Sequence, residues 1–400
     1  VASSRTIIVA GAGIGGLTAA LALAQKGFRV ALFEQAARLA EIGAGIQLSP
    51  NALHVLFALG LEDALRPYIV APAKVRIRNA STGREVAQVP LGTHAEARFG
   101  APYWTIHRGD LQKVLLDAAR SNLDIALRLG TKVEDVAIHA HGVTAQTRTG
   151  TEITDEHGIA LIAADGLGSL LRTRMRGKAQ PRFAHRTAWR AIAAAEAVPE
   201  ECRAANINLW LGRDSHLVHY PIKAGTHVNI VAIVHDQWAG EGWDNAGARE
   251  ELLARFSVSS WAAPARALLA VPGQWAKWAL YDRAPSARWT RGPVTLLGDA
   301  AHPMLPFLAQ GAAMAIEDAF VVADCLARRP DDPAAALRLY EKQRRGRTAR
   351  AQRAARLNSW LYHQGEPQAT ARDLALRFLD GERLLKRYDW LYGWKPPGGD

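Results

Sequence analysis

Gly11, Gly13 and Gly16 stand in a Gly-x-Gly-x-x-Gly spacing directly after the apolar run 6–10, and Glu34 closes the next apolar run. In such a turn the first glycine permits the bend, the second lets backbone approach a pyrophosphate, and the third lets a helix pack closely on a strand. The helix that follows offers free N–H groups and a partial positive charge to a phosphate. Glu34 is placed to accept from both hydroxyls of a ribose. Strand, helix and carboxylate together predict dinucleotide binding, although this motif alone does not separate FAD from NAD. A secretory signal is the competing reading, since Arg5 precedes a long apolar stretch. Export does not need that glycine spacing; a strand, turn and helix do.

Two further motifs follow apolar strands. In Leu296-Leu297-Gly298-Asp299 the carboxylate falls where the chain turns, within reach of ribitol or ribose hydroxyls. Gly311 and Ala312 then open a second helix, whose N-terminus can face the edge of a flavin ring that becomes anionic on reduction. In Asp165-Gly166-x-x-Ser169-x-x-Arg172, Asp165 can reach a phosphate-linked sugar, and Arg172 can pair with Asp165 or with a phosphate. The blander alternative is a capped helix start with a structural Asp–Arg pair.

The elements that must carry these motifs are legible in outline. Runs 6–10, 17–25 and 28–34 make a βαβ unit, its strands continuously apolar as in a sheet covered on both faces. Helices are predicted over 51–60, with Pro50 in the first turn, and over 111–121, with Asp110 as N-cap. Between 182 and 281 short β-prone runs alternate with glycine turns, and seven of the twelve tryptophans lie between Trp189 and Trp278. A strand at 293–297 and a helix at 310–326 return to the first texture, and the last seventy residues look helical. The expected fold class is α/β: a discontinuous Rossmann-like dinucleotide domain over 1–75, 101–181 and 286–357, a β-rich substrate domain over 76–100 and 182–285, and C-terminal helices over 358–400.

Composition narrows the classes. The chain has 400 residues, 49% apolar and 22% charged, enough for a large core in two or three domains. Two cysteines, Cys202 and Cys325, exclude a disulfide scaffold and a multi-cysteine zinc module, so no metal site is expected and a cytoplasmic location is. No apolar run reaches the ~20 residues of a membrane helix. The net charge of +11 is concentrated in 338–356, where eight basic residues face only Glu341. That stretch lacks interleaved aromatics for base stacking, so a solvated arginine face, partly answering acidic neighbours, is preferred to nucleic-acid binding.

The three motifs, in this order and at these intervals, resemble the class A flavoprotein aromatic hydroxylases. The resemblance covers residues 5 to about 357 and extends to Glu41-Ile42-Gly43-Ala44-Gly45-Ile46, to Asn51, to His107-Arg108-x-x-Leu111, and to the ending Trp390-Leu391-Tyr392-Gly393-Trp394. Within the family the chain is most similar to the salicylate hydroxylase and 3-hydroxybenzoate 6-hydroxylase group, with 6-hydroxynicotinate 3-monooxygenase nearby. The resemblance implies non-covalent FAD, NADH (or NADPH) as reductant, and O2 and a small hydroxylated aromatic acid as substrates, in a monomer or homodimer. It implies that Gly11, Gly13, Gly16, Glu34, Arg108, Asp165, Asp299, Gly311 and Ala312 serve the cofactor.

An electron-rich ring is needed for such hydroxylation, so a base near the phenol is the residue to find. His216-Leu217-Val218-His219-Tyr220-Pro221 carries the candidate, for in a strand His216 and Tyr220 share a face, roughly 13 Å apart. The spacing is similar to that of 3-hydroxybenzoate hydroxylases, which implies His216 as base, Tyr220 as the residue orienting substrate, and Tyr103 in the pocket wall. Pro306 departs from that group, where a polar amide is expected, and looks more like salicylate hydroxylases. Conversion of salicylate to catechol is therefore the first expectation. Arg190, Arg213 and Lys223 remain open as partners for the substrate carboxylate. A simple NAD-dependent dehydrogenase would need only the first motif.

Overall fold

The computed structural model describes residues 5–39, 44–177, 181–238 and 244–398. Positions 41–43 of the Glu41–Ile46 motif, and Trp243, therefore lie outside the described residues.

Strand Thr6–Ala10 lies at the centre of a six-stranded sheet, pairing in parallel with Arg29–Glu34 on one side and Ala160–Ala163 on the other. Ile125–Leu129 lies at one edge and Val294–Leu296 on the other side, each also parallel, and the short Thr290–Arg291 completes the sheet antiparallel beyond Val294–Leu296. Ile7, Ile8, Val9 and Leu32 are fully buried, as strands covered on both faces require. The first helix, Ile14–Gln25, packs on helix Gly311–Arg328 and on helix Arg108–Ser121. The last of these begins earlier than expected: His107 occupies the cap position and Asp110 lies within the first turn, where its charge suits the helix dipole. A three-stranded antiparallel sheet over Thr131–His139, Gly142–Thr149 and Glu152–Gly158 was not foreseen from the sequence.

The second large layer is an eight-stranded sheet. Its central strands are Arg182–Ala194, His227–His235, Ser215–Ile222 and Ile207–Gly212, all antiparallel to their neighbours in that series. Lys74–Asn79 joins it in parallel beside Ile207–Gly212 and brings Glu85–Pro90 with it. A short antiparallel pair, Gly45–Leu48 with Trp104–His107, lies apart from both large sheets.

Helix Pro333–Tyr362 carries the basic stretch, and it is more than a solvated face. Arg344 is buried and bonds Asp318 at 2.6 Å and Glu317 at 2.5 Å. Arg347 also bonds Glu317, at 2.7 Å, and Arg356 bonds Asp282 at 2.7 Å. Arg338, Lys342, Arg350 and Arg353 remain exposed. Cys202 and Cys325 are both buried free thiols. Among the described residues, no helix is long and apolar enough to cross a membrane.

Candidate active site

The glycine loop shows why each glycine stands where it does. Gly11 has φ +103°, and a Cβ there would fall 2.4 Å from the Ala164 carbonyl oxygen. A Cβ on Gly16 would fall 1.8 Å from the Gly11 carbonyl oxygen, so helix and loop pack without a side chain between them. A Cβ on Gly13 would meet nothing within 4 Å; this is the face left open for a ligand. Glu34 accepts from the Ala12 N–H at 2.8 Å and the Ala36 N–H at 2.9 Å, leaving its remaining lone pairs for hydroxyl donors.

The other two motifs meet at the same place. Gly298 takes φ +60°, turning Asp299 so that its carboxylate opens on a cavity of about 370 Å³. Burial pushes Asp299 upward, while His302, Arg108 and Arg172 oppose that shift. Arg172 does not bond Asp165; it donates to the Ala300 carbonyl at 2.9 Å and the Leu167 carbonyl at 2.6 Å, tying the Asp-Gly motif to the Gly-Asp turn. Ser169 caps its helix by accepting from the Arg172 N–H. Asp165 accepts from the Leu171 N–H with Oδ2, whereas its buried Oδ1 has no partner among the described residues. His302 bonds Asp318 behind the turn, away from the cavity lining.

Helix Gly311–Arg328 starts on the cavity wall with no side chain capping it, so Gly311 and Ala312 present free backbone N–H groups there. Below, Asn51 donates to Glu317 at 2.6 Å and to Gln310 at 3.1 Å, which seats this helix start on helix Pro50–Ala58. The open face at Gly13, the orphaned Asp165 oxygen and the uncapped helix start are all features an FAD would satisfy. The residues present fit that cofactor.

The substrate side is built by one face of the large sheet. Alternation along Ser215–Ile222 turns His216, Val218 and Tyr220 to the cavity and Leu217 to a separate apolar cluster. Register carries the face across strands: Val218 pairs with Val231, and Val231 with Arg190. All three line the cavity. A smaller cavity of about 110 Å³ adjoins it, sharing His216, Val218, Gln47 and Pro306. Tyr103, Tyr362, Tyr388 and Tyr392 line this second space. Thus Gly13, Arg108, Asp299, Gly311, Ala312, His216, Tyr220 and Pro306 come together on the larger cavity. Tyr103 joins them through the smaller one, while Gly11, Gly16, Glu34 and Asp165 support the loops behind.

The electrostatics separate donors from acceptors. Burial holds Tyr103 and Tyr220 well above the usual phenol range, so both stay protonated and can donate. The Tyr103 hydroxyl donates to Gln47 at 2.7 Å. Burial, then the neighbouring His363 and Arg186, push His216 well below the usual imidazole range, leaving a neutral acceptor. Arg190 is lowered by burial, its guanidinium lies 5.4 Å from the Trp278 ring centre, and its Nε is buried without a partner among the described residues. Of the three carboxylate candidates only Arg190 lines either of these two cavities; the Arg213 side chain is 83% exposed. Sequence reasoning missed Gln47, one position past a motif it did use, and His363, whose Nε2 lies 2.8 Å from His216 Nδ1.

Comparison with known proteins agrees with this geometry. The FAD binding domain family matches residues 4–356. The chain is 39% identical over 393 residues to 3-hydroxybenzoate 6-hydroxylase 1 of Aquipseudomonas alcaligenes, covering 97% of this chain and 98% of that protein. Klebsiella pneumoniae HpxO, solved with FAD and uric acid, superposes with a TM-score of 0.85 at 29% identity, covering 99% of this chain and 98% of that one. A salicylate hydroxylase substrate complex gives 0.82 at 26% identity, covering 98% and 96%. A dehydrogenase using only the first glycine motif is thereby set aside, and the chain belongs to the FAD binding domain family as a class A flavin-dependent aromatic monooxygenase.

Proposed function

We propose that this enzyme hydroxylates a single-ring phenolic acid, with 3-hydroxybenzoate ahead of salicylate. This reverses the order suggested by Pro306, because the 39% identical relative extends over nearly the whole chain. The observation that carries the reading is the position of His216, on a wall shared by both cavities and on one strand face with Tyr220. Gly11, Gly13, Gly16, Glu34, Asp165 and Arg108 would hold the dinucleotide, with Asp299, Gly311 and Ala312 at its ring end. Bound there, FAD supplies hydride acceptance from NADH and delivery of one oxygen atom of O2 to the ring.

The remaining work falls to the protein. The imidazole of His216 accepts the phenolic proton, and the resulting phenolate enriches the ring carbons ortho and para to its oxygen. In 3-hydroxybenzoate the carbon para to the hydroxyl is C6. The protein groups alone disfavour a charged His216, but a phenolate across the hydrogen bond supplies the opposite charge that stabilises it. Tyr220, as a donor, orients the acid, Tyr103, whose own hydrogen goes to Gln47, lines the pocket wall, Pro306 closes that wall, and Arg190 offers the buried cation for a carboxylate. We read the division at 1–75, 101–181 and 286–357 against 76–100 and 182–285 as cofactor and substrate parts, with 358–400 closing the tyrosine side. The enzyme works in the cytoplasm, as a monomer or homodimer.

The test is a panel of 3-hydroxybenzoate, salicylate and 6-hydroxynicotinate under NADH and O2, with products identified by mass. A product sixteen mass units heavier from 3-hydroxybenzoate is expected, the mass of one oxygen atom gained. Catechol from salicylate as the main product would restore the original order, and no product from any phenolic acid would overturn the reading.

A further inference from the structure

The His216 ring has a second nitrogen, and what it touches has a consequence for the first. His216 Nδ1 lies 2.8 Å from His363 Nε2, and His363 Nδ1 lies 2.5 Å from the carbonyl oxygen of Ser359. Ser359 and His363 sit at the end of helix Pro333–Tyr362, remote in sequence from the strand that carries His216. We infer that His363 is a positioning residue that fixes His216 as the tautomer with its proton on Nδ1 and its lone pair on Nε2. The inference rests on the base role proposed above for His216.

Donors and acceptors along this chain fix the tautomer. A carbonyl oxygen only accepts, so His363 Nδ1 carries the hydrogen. Burial and the nearby Arg186 push His363 down to about 3, so near neutral pH its Nε2 is bare and accepts. His216 Nδ1 must then donate. Since His216 is neutral as well, its Nε2 holds the lone pair. The rings of Phe307 and Tyr362, each 5.5 Å from the His216 ring centre, flank this pair. The charges acting on the pair are those of Arg186, Arg372 and His235, with the Tyr362 phenol beside them; the nearby carboxylates Asp214 and Asp373 answer Arg186 and Arg372 and bond neither imidazole. In the transfer one phenolic O–H bond breaks and one Nε2–H bond forms, giving phenolate and imidazolium, while Nδ1–H stays bonded to His363. The opposite tautomer would put a donor where the phenol needs an acceptor.

The tautomer is read in the wild-type, FAD-loaded enzyme from the nitrogen chemical shifts of ¹⁵N-histidine, with His216 assigned by the signals lost in His216→Gln. A protonated Nδ1 and bare Nε2 are expected; the reverse assignment, or a mixture of both, overturns the inference. His363→Phe removes the acceptor, whereas His363→Gln retains an amide oxygen that can accept from Nδ1. His363→Phe should raise the pH at which bound 3-hydroxy-4-nitrobenzoate ionises, read by the visible absorbance of its phenolate, and lower kcat by roughly tenfold or more. His363→Gln should restore both toward wild type. Equal impairment in the two variants, or an unmoved ionisation in His363→Phe, contradicts it. A wild-type enzyme that hydroxylates no phenolic acid but shows the expected tautomer would defeat the base role and spare the tautomer assignment.

Discussion

At the scale of single residues, the site divides its labour by protonation state. Tyr103 and Tyr220 are kept as phenols by burial, Arg108 and Arg190 are cations along one wall, and His216 is the neutral imidazole between the two cavities. At the other end Glu34 accepts from the Ala12 N–H in the glycine loop, and on the proposed reading its free lone pairs also receive a ribose. Reversing its charge breaks both. Glu34→Arg is expected to lose FAD during dialysis, with the loss read from the flavin-to-protein absorbance ratio. Exposed Lys342 serves as the control, since Lys342→Glu should keep its flavin. A Glu34→Arg enzyme with a full flavin complement would remove this carboxylate from cofactor binding.

At the scale of elements, the site is held by a buried charge cluster. Arg344 joins helix Pro333–Tyr362 to Glu317 and Asp318 on helix Gly311–Arg328, whose first turn forms the cavity wall. Arg344→Leu leaves Glu317 with Arg347 and Asp318 with His302 but removes the one cation that bridges them, and breaking a buried pair in this way costs up to roughly 3–5 kcal/mol. Denaturant unfolding of the FAD-loaded variant should show that loss; a change under about 1 kcal/mol would mean that Arg347 alone neutralises the cluster. The sequence anticipates that some of these arginines answer acidic neighbours, but only folding reveals which of them turn inward and which carboxylates they meet. The glycine loop was legible, since strand, turn and helix lie within about thirty residues of chain, although the close approach of Gly11 to Ala164 comes from a remote strand. The strand carrying His216 and Tyr220 was legible by its period of two. Its partners were not: Gln47 and His363 come from remote segments, and no local pattern marks a side chain for a distant hydrogen bond. The 131–158 sheet escaped because its strands are polar on exposed faces and lack the continuous apolar signal.

At the scale of the whole molecule, pH and electron flow report on the fold together. His216, His219 and His363 are all lowered by burial, the latter two to about 3, so they stay neutral when folded. Unfolded histidine binds a proton below about pH 6.5, so the unfolded state gains protons as pH falls and stability drops from there downward. Asp318, held at about 2 by His302 and Arg344 against the opposing effect of burial, adds a second loss between about pH 4 and 2. Asp165 and Asp299, raised by burial, take up protons in the folded state above about pH 4, which offsets part of the histidine loss rather than that of Asp318. Melting of the enzyme in excess FAD should therefore show a level Tm above about pH 7 and a decline from pH 6.5 toward 5. A Tm independent of pH across that window would contradict the neutral, buried histidines. On the proposed reading electron flow crosses both halves of the molecule, from reduction at the cofactor to a substrate ring beside His216. Its measure is the ratio of hydroxylated product formed to NADH consumed, compared between wild type and His216→Ala with 3-hydroxybenzoate at equal flavin content. Wild type should approach one product per NADH, while His216→Ala should hydroxylate about 10²–10⁴-fold more slowly and divert electrons to hydrogen peroxide; an unchanged rate and ratio in His216→Ala would contradict the account.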